Sequence, residues 1–524
     1  MTEFLPSLKR QPFTLRHEPT LNFVKKLCAD YPAAEFHRKL LRELGCDFSY
    51  AAKDKSTGCW HTVIELNSTL QGLLGMNKGF QLTYTPFHEL QSRTIESMID
   101  QRIDRERSDS LYLLHTPDIL GQRKVDNWSF RKTYSVIVMP SGGQPKDVAL
   151  ELLRRIVEAS SRNNPYERTT PVSGVEFFGR SETIRSLSNE IRSGYVCGLF
   201  GLRKTGKTSL LSELGRLFQL GDPENSLYIL QDLEVLPSNP QMKIPELISS
   251  LANQLQIDFK KQGMRTQELS LITKSSTAGD LRQAIEASLR KGVGTEKMVV
   301  LALDEVESLV STDTSDHGTQ NEVPEILGAL RALVQENKNF NVVLSGITTS
   351  PIMSPTLFGR ENPLFAWAKP TFVAEITKGE SDRMISELGS RMAVRWTPAA
   401  LESIYRTTGG QVFLTRSFAG YIASTLGDEI TNRLISETKV KDSFRSWRRT
   451  ALQLVDGMID SLNRFYPTEL SLLHLGLDTS FDELEDDFTA EISNLINLGV
   501  LVDSPAGLEL SSWTKLGSKV KVSE

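Results

Sequence analysis

The stretch GLRKTGKTS, residues 201–209, fits the spacing G-x-x-x-x-G-K-[ST]. Gly201 and Gly206 are the residues that let backbone N–H groups wrap a polyphosphate, and a following helix N-terminus adds positive partial charge. Lys207 would reach the outer phosphates, and the Thr208 hydroxyl would ligate Mg²⁺. Lys204, Thr205 and Ser209 complete the set expected to line a bound nucleotide. The mechanism needs a strand before the loop and a helix after it. Residues 195–200, YVCGLF, are apolar and predict a buried strand. Leu210, Leu211, Leu214 and Leu217 recur at helical spacing just downstream.

A phosphate loop also needs a carboxylate at the end of a second buried strand. Residues 297–310, KMVVLALDEVESLV, supply an apolar run that ends in Asp304 and Glu305. Asp304 is placed to orient a metal-bound water, and Glu305 to polarise the attacking water.

These residues sit inside 524, more than one hydrophobic core can hold, so three or four domains are expected. A hydrophobic content of 39% with 24% charged residues is that of a globular protein. The net charge of −5 gives no general affinity for nucleic acid. Cys28, Cys46, Cys59 and Cys197 form no C-x-x-C pair, which argues against a zinc site or a disulfide framework. No apolar run reaches the roughly twenty residues that span a bilayer, and the first residues lack a signal-peptide core. A cytoplasmic protein with no membrane partner is the expectation.

Around the site the chain divides into an N-terminal α/β domain (1–160), a linker rich in Pro, Asn and Ser (161–175), a phosphate-loop core (176–369), a helical lid with a connecting helix (370–462) and a C-terminal domain (463–524). In the first domain, strands are predicted over 61–66, 80–85, 110–115 and 134–140, with helices over 33–44, 88–103 and 146–160. In the core, strands over 225–233 and 341–350 join the two already named, which predicts a doubly wound parallel sheet. From residue 370 the pattern turns helical. The last segment has the rhythm of a winged helix, with SPAG (504–507) as the wing turn.

Taken in order, FFGRSE (177–182), FGLRKTGKTSLL, VVLALDEVESL, GREN-PL (359–364) and TTGGQVFLTR (407–416) resemble the signal-transduction ATPases with numerous domains (STAND). They are also similar to the related origin-recognition-type and archaeal-type AAA+ ATPases with a C-terminal winged helix. The resemblance covers roughly residues 176–524. It implies a switch between ATP and ADP states, in which ADP keeps lid and winged helix closed and ATP with a trigger opens them for self-association, with bacterial defence as one setting. It further implies that Thr348 occupies the sensor position after the fourth strand and that Arg180 closes over adenine and ribose. Arg360 is then the candidate arginine finger for a neighbouring protomer, or else a charged turn residue. Arg416 is the candidate lid sensor, or else a solvated helix charge. Many relatives carry Gly-Gly-x-Pro in the lid, the proline touching adenine; this chain has Gly409-Gly410-Gln411-Val412.

Two weaker constellations remain. His88, Glu89, His115 and Asp118 fall at predicted strand ends, where α/β sheets bind ligands; they read either as a nuclease or hydrolase site or as surface residues. The C-terminal domain invites a DNA reading, but from residue 464 onward four basic residues face eleven carboxylates. Acidic DELEDD (482–487) leads into the expected recognition helix and would repel phosphates, which favours a protein partner. The functions in competition are an ATP-dependent switch, a DNA-loading or transposition-type ATPase, and an effector enzyme whose active site lies in the first 160 residues.

Overall fold

The computed structural model describes residues 18–519 apart from 55–56, 68–69, 71–78, 94, 96–106, 130–133, 163, 168–169, 223–224, 238, 291–296, 311–321, 391, 393 and 427–432. The helix expected over 88–103 lies mostly outside the described residues. The chain forms two compact units. One holds residues 1–169, 382–404 and 416–444, the other 170–381, 405–415 and 445–524.

The first unit is built on a mixed sheet. β1 (Cys46–Lys53), β2 (Trp60–Leu66) and β3 (Gly79–Tyr84) run antiparallel, and β4 (Arg107–His115) and β5 (Ser135–Val138) continue parallel to β3. The sequence pattern misses β1 and the helix Gly121–Ser129. Helices Ala33–Glu43 and Pro145–Arg162 lie where periodicity expects them, and Leu40, Leu41, Leu152 and Ile156 join Phe48, Ile64 and Leu82 in one core.

At the ends of β3 and β4 this core becomes aromatic. Buried His37 contacts Tyr84 Oη through Nδ1 at 3.0 Å and the Pro140 carbonyl through Nε2 at 3.0 Å, and the His115 ring lies against it with centroids 5.1 Å apart. Burial, and next the neighbouring His115, push the His37 imidazole down to about 4. The folded state therefore holds His37 neutral while the unfolded chain protonates near 6.5. Its stabilising share is full above pH 6.5 and is lost as pH falls toward 4, by about 3 kcal/mol in the limit. Protection factors of the β3 and β4 amides, corrected for the intrinsic pH dependence of exchange, should fall between pH 6.5 and 4.5, and His37→Gln should flatten that slope; equal slopes would assign the acid sensitivity to other groups.

His115 thus faces this ring cluster, while His88 and Glu89 are exposed. Asp118 organises a loop: its carboxylate accepts from the Leu90 and Leu120 amides and from Lys124 Nζ at 2.8–2.9 Å. The four residues do not form one site. Among the described residues no group of three or more His, Cys, Asp or Glu is arranged to hold a metal, and no helix is long and apolar enough to cross a membrane. Part of the segment expected as a linker is packed as well. Pro165 and Tyr166 are buried in a short 3₁₀ turn, and the Tyr166 hydroxyl donates to the Ile385 carbonyl at 2.5 Å.

The second unit carries a parallel sheet of β6 (Val196–Phe200), β7 (Ser226–Asp232), β8 (Met298–Asp304) and β9 (Phe340–Gly346), a small hairpin of β10 (Thr356–Leu357) and β11 (Arg360–Glu361), and a fifth core strand, β12 (Ala368–Phe372). The sheet order is β12-β6-β9-β8-β7, parallel throughout. β6 and β9 are buried along their whole length, as a sheet covered on both faces requires. β12 corrects the helical reading from residue 370, since these residues form the edge of the sheet before the helix Lys378–Ser390 begins. Residues 466–510 form three helices, Pro467–Asp478, Phe481–Glu485 and Thr489–Asn497, and a hairpin turning at Ser504–Gly507.

Candidate nucleotide site

The loop leaves the end of β6 and enters the helix Lys207–Gly221. That helix is held down by Leu210, Leu211, Leu214 and Phe218. Leu217, expected on the same face, is exposed. The turn needs unusual backbone. Gly206 has φ +92°, and a Cβ there would stand 2.9 Å from Arg180 Nη1. Five non-glycine residues have positive φ among those described, and three of them, Arg180, Lys204 and Glu305, surround this loop. Left-handed backbone costs an L-residue roughly 1–2 kcal/mol, and such strain gathers where function fixes geometry.

Lys207 is buried. Its Nζ donates to the carbonyls of Gly201 at 3.0 Å and Leu202 at 3.2 Å, and burial holds its pKa below the usual lysine value. The ammonium is therefore shielded from water before any phosphate reaches it. The Thr208 hydroxyl donates to Asp304 Oδ2 at 2.6 Å, bringing the two motifs together from opposite sides of β9. Asp304 is itself buried, and its other oxygen accepts from the Glu305 amide at 3.1 Å. Glu305 is raised above the usual carboxylate range, first by burial and then by the Glu307 carboxyl in hydrogen-bond contact with it.

The remaining expected residues take different places. Arg180 spans the loop and the segment that follows β12: its guanidinium donates to the Thr205 carbonyl at 2.6 Å and the Ala374 carbonyl at 2.9 Å, while its amide donates to Glu380 Oε1 at 3.1 Å. Thr205 turns its hydroxyl onto the Leu202 carbonyl, and Ser209 accepts from the Val172 amide at 3.1 Å. Both hydroxyls therefore brace the backbone. Thr348 follows β9, is buried, and accepts from the Ser350 amide at 3.2 Å. Arg360 is exposed on the β10–β11 hairpin and pairs with Glu325 at 2.7 Å. Arg416 belongs to the other compact unit, where it donates to the Pro165 carbonyl at 2.7 Å.

Three contacts were not foreseen. Gln411, which stands after the two lid glycines, donates to the Lys204 carbonyl at 3.0 Å. Glu380 accepts from the Arg180 amide, and Glu307 from the Ile347 amide at 3.0 Å. Only Glu307 leaves a local trace, as the third acid in the turn that begins at Asp304.

The hydroxyl–carboxylate pair Thr208–Asp304 supplies the hard oxygen donors that Mg²⁺ takes. The buried ammonium and the glycine-lined turn suit a polyphosphate. When bound, Mg²⁺ would neutralise charge on the phosphates. In such a site the loop amides would wrap the anion, Lys207 would hold its outer end and the Glu305 carboxyl would take a proton from water.

The strand order, the loop and the acidic strand end define a P-loop NTPase fold on a five-stranded parallel sheet. No family model matches the chain, and no curated protein matches it. Among solved structures it is similar to the Walker-type ATPase of Pyrococcus abyssi, with 16% identity over 67% of this chain and 99% of that one and a TM-score of 0.47. It is also similar to the ORC2 protein of Aeropyrum pernix in its ADPNP–ADP complexes, at 13% identity, 67% and 96% coverage and a TM-score of 0.41. The RuvB Holliday junction branch migration motor of Thermotoga maritima gives 18% identity, 65% and 94% coverage and a TM-score of 0.33.

Proposed function

We propose that this chain binds ATP with Mg²⁺ and hydrolyses it slowly, using the difference between its ATP and ADP states as a switch coupled to self-association or to a protein partner. The observation that carries the reading is the 2.6 Å contact between Thr208 and Asp304, with Glu305 next to it in strained backbone. A motor that cycles rapidly needs a loop open to exchange. Here the loop is tied down by Arg180, Gln411 and Val172, which favours a nucleotide held for long periods. Protein purified without added nucleotide should carry ADP in near one-to-one amount; protein that is empty and still turns over ATP fast would replace the switch with a motor. Binding to DNA is disfavoured by the acidic C-terminal domain, whose charge balance opposes phosphate contact.

Self-association has its own test. Arg360 lies on an exposed hairpin with Glu325 as its ionic partner, and it is available to a neighbouring protomer. Arg360→Ala should keep wild-type ATP binding while its specific activity loses the rise with protein concentration expected of an assembly. Mixing it with Lys207→Ala protein should restore part of that activity. Wild-type activity strictly proportional to protein concentration, with no rescue on mixing, would make Arg360 a turn residue.

A further inference from the structure

Ile347, the residue between β9 and Thr348, is fully buried and held from two sides. Its amide donates to Glu307 Oε2 at 3.0 Å, and its carbonyl accepts from the Tyr466 hydroxyl at 3.0 Å. Glu307 is buried in the 3₁₀ turn Val306–Leu309, which Glu305 caps: the Glu305 carbonyl accepts from the Ser308 amide at 3.0 Å, so whatever holds Glu307 also sets the turn from which the Glu305 carboxyl projects. Tyr466 is buried at the junction where the long helix Glu437–Phe465 ends and the C-terminal helix Pro467–Asp478 begins. The approach of Glu307 to β9 is tight enough to require glycine at 346, where a Cβ would stand 2.4 Å from Glu307 Oε2.

We propose that Glu307 and Tyr466 are positioning residues through which the seating of the C-terminal domain sets the aim of Glu305. This rests on the hydrolytic reading above. The relay runs from Tyr466 through both polar groups of the Ile347 peptide segment to Glu307, and from there to Glu305. None of these contacts needs to touch nucleotide. If the junction at Tyr466 shifts, the Ile347 carbonyl loses its partner in a buried place, and the segment that holds Glu307 is free to move with it. A buried group left unpaired is unfavourable enough to make the arrangement discrete rather than gradual. The carboxyl at the far end needs placement within a fraction of an ångström, since small misplacements cost large factors in rate. Hydrolysis would thus respond to the C-terminal domain while affinity for nucleotide would not.

The test uses the full chain, with ATP binding at equilibrium and steady-state hydrolysis measured on wild type, Tyr466→Phe, Glu307→Gln and the double variant. Tyr466→Phe keeps the ring and removes only the hydroxyl. Its kcat should fall by about tenfold while the Kd for ATP stays at the wild-type value. Glu307→Gln should fall at least as far, and the double variant no further than Glu307→Gln, because residues in one chain of contacts do not act additively. A tyrosine that served only packing would leave kcat unchanged in the Phe variant. Wild-type turnover with Tyr466→Phe at the same kcat, or losses that multiply in the double variant, would overturn the relay and leave the hydrolytic reading standing. A wild type that binds ATP with no hydrolysis would overturn both.

Discussion

Glu305→Gln should hydrolyse ATP about 10²–10⁴-fold more slowly than wild type, the usual loss when a positioned base is removed, while binding ATP with unchanged strength. The amide keeps the size and the left-handed backbone of the original residue and removes only the basic oxygen. Asp304 already engages the Thr208 hydroxyl and the Glu305 amide through its two oxygens. Glu307 accepts from the Ile347 amide through Oε2. The loss should therefore appear in kcat and leave KM nearly unchanged. If the switch reading holds, the variant should accumulate as its ATP-bound assembly and elute earlier in gel filtration. Near wild-type turnover would move the base to another residue.

Lys207→Ala should abolish ATP binding, and it should also lower the melting temperature. The second effect follows from burial. Deleting the ammonium leaves the Gly201 and Leu202 carbonyls without that donor, at a cost of about 1–3 kcal/mol for a buried polar group. Opposing this, the loss of a desolvated charge removes a penalty, so the fall should stay in the lower part of that range. A thermal-shift series separates the two effects. Wild type should gain about 2.7 kcal/mol of stability at a hundredfold excess of ATP over its Kd, and the variant should gain none at any concentration. Equal shifts in both proteins would remove the loop as the nucleotide site.

The parts of this site that could be read from sequence are those encoded by neighbours. A glycine-lysine loop between an apolar strand and a leucine-rich helix, and a second apolar strand ending in Asp304 and Glu305, are contiguous patterns with a local cause. β12 was hidden because Lys369 and Pro370 interrupt any alternation. The sheet tolerates that proline because the strand lies at an edge. β1 was hidden for a similar reason, since its run of Asp, Ser and Ala has weak strand preference. Side-chain partners were beyond reach for a different reason. Gln411 meets Lys204 across 207 residues and Tyr466 meets Ile347 across 119, and no periodicity in one sequence records such pairs. Arg416 shows the converse: its helix was foreseen, but its guanidinium serves the linker turn at Pro165.

The left-handed backbone at Arg180, Lys204 and Glu305 also shapes how this protein can be altered in the laboratory. Each position would be relaxed by glycine, which adopts positive φ without the steric penalty of a side chain. A variant library sorted only for survival on heating would therefore enrich glycine at Glu305, while the hydrogen bonds of the Arg180 guanidinium and the packing of Lys204 on Phe413 oppose it at the other two. The same library sorted for ATP turnover would retain the glutamate. The two sorting pressures would pull this position in opposite directions, so that heat-resistant lineages would emerge as well-folded proteins with a silent site.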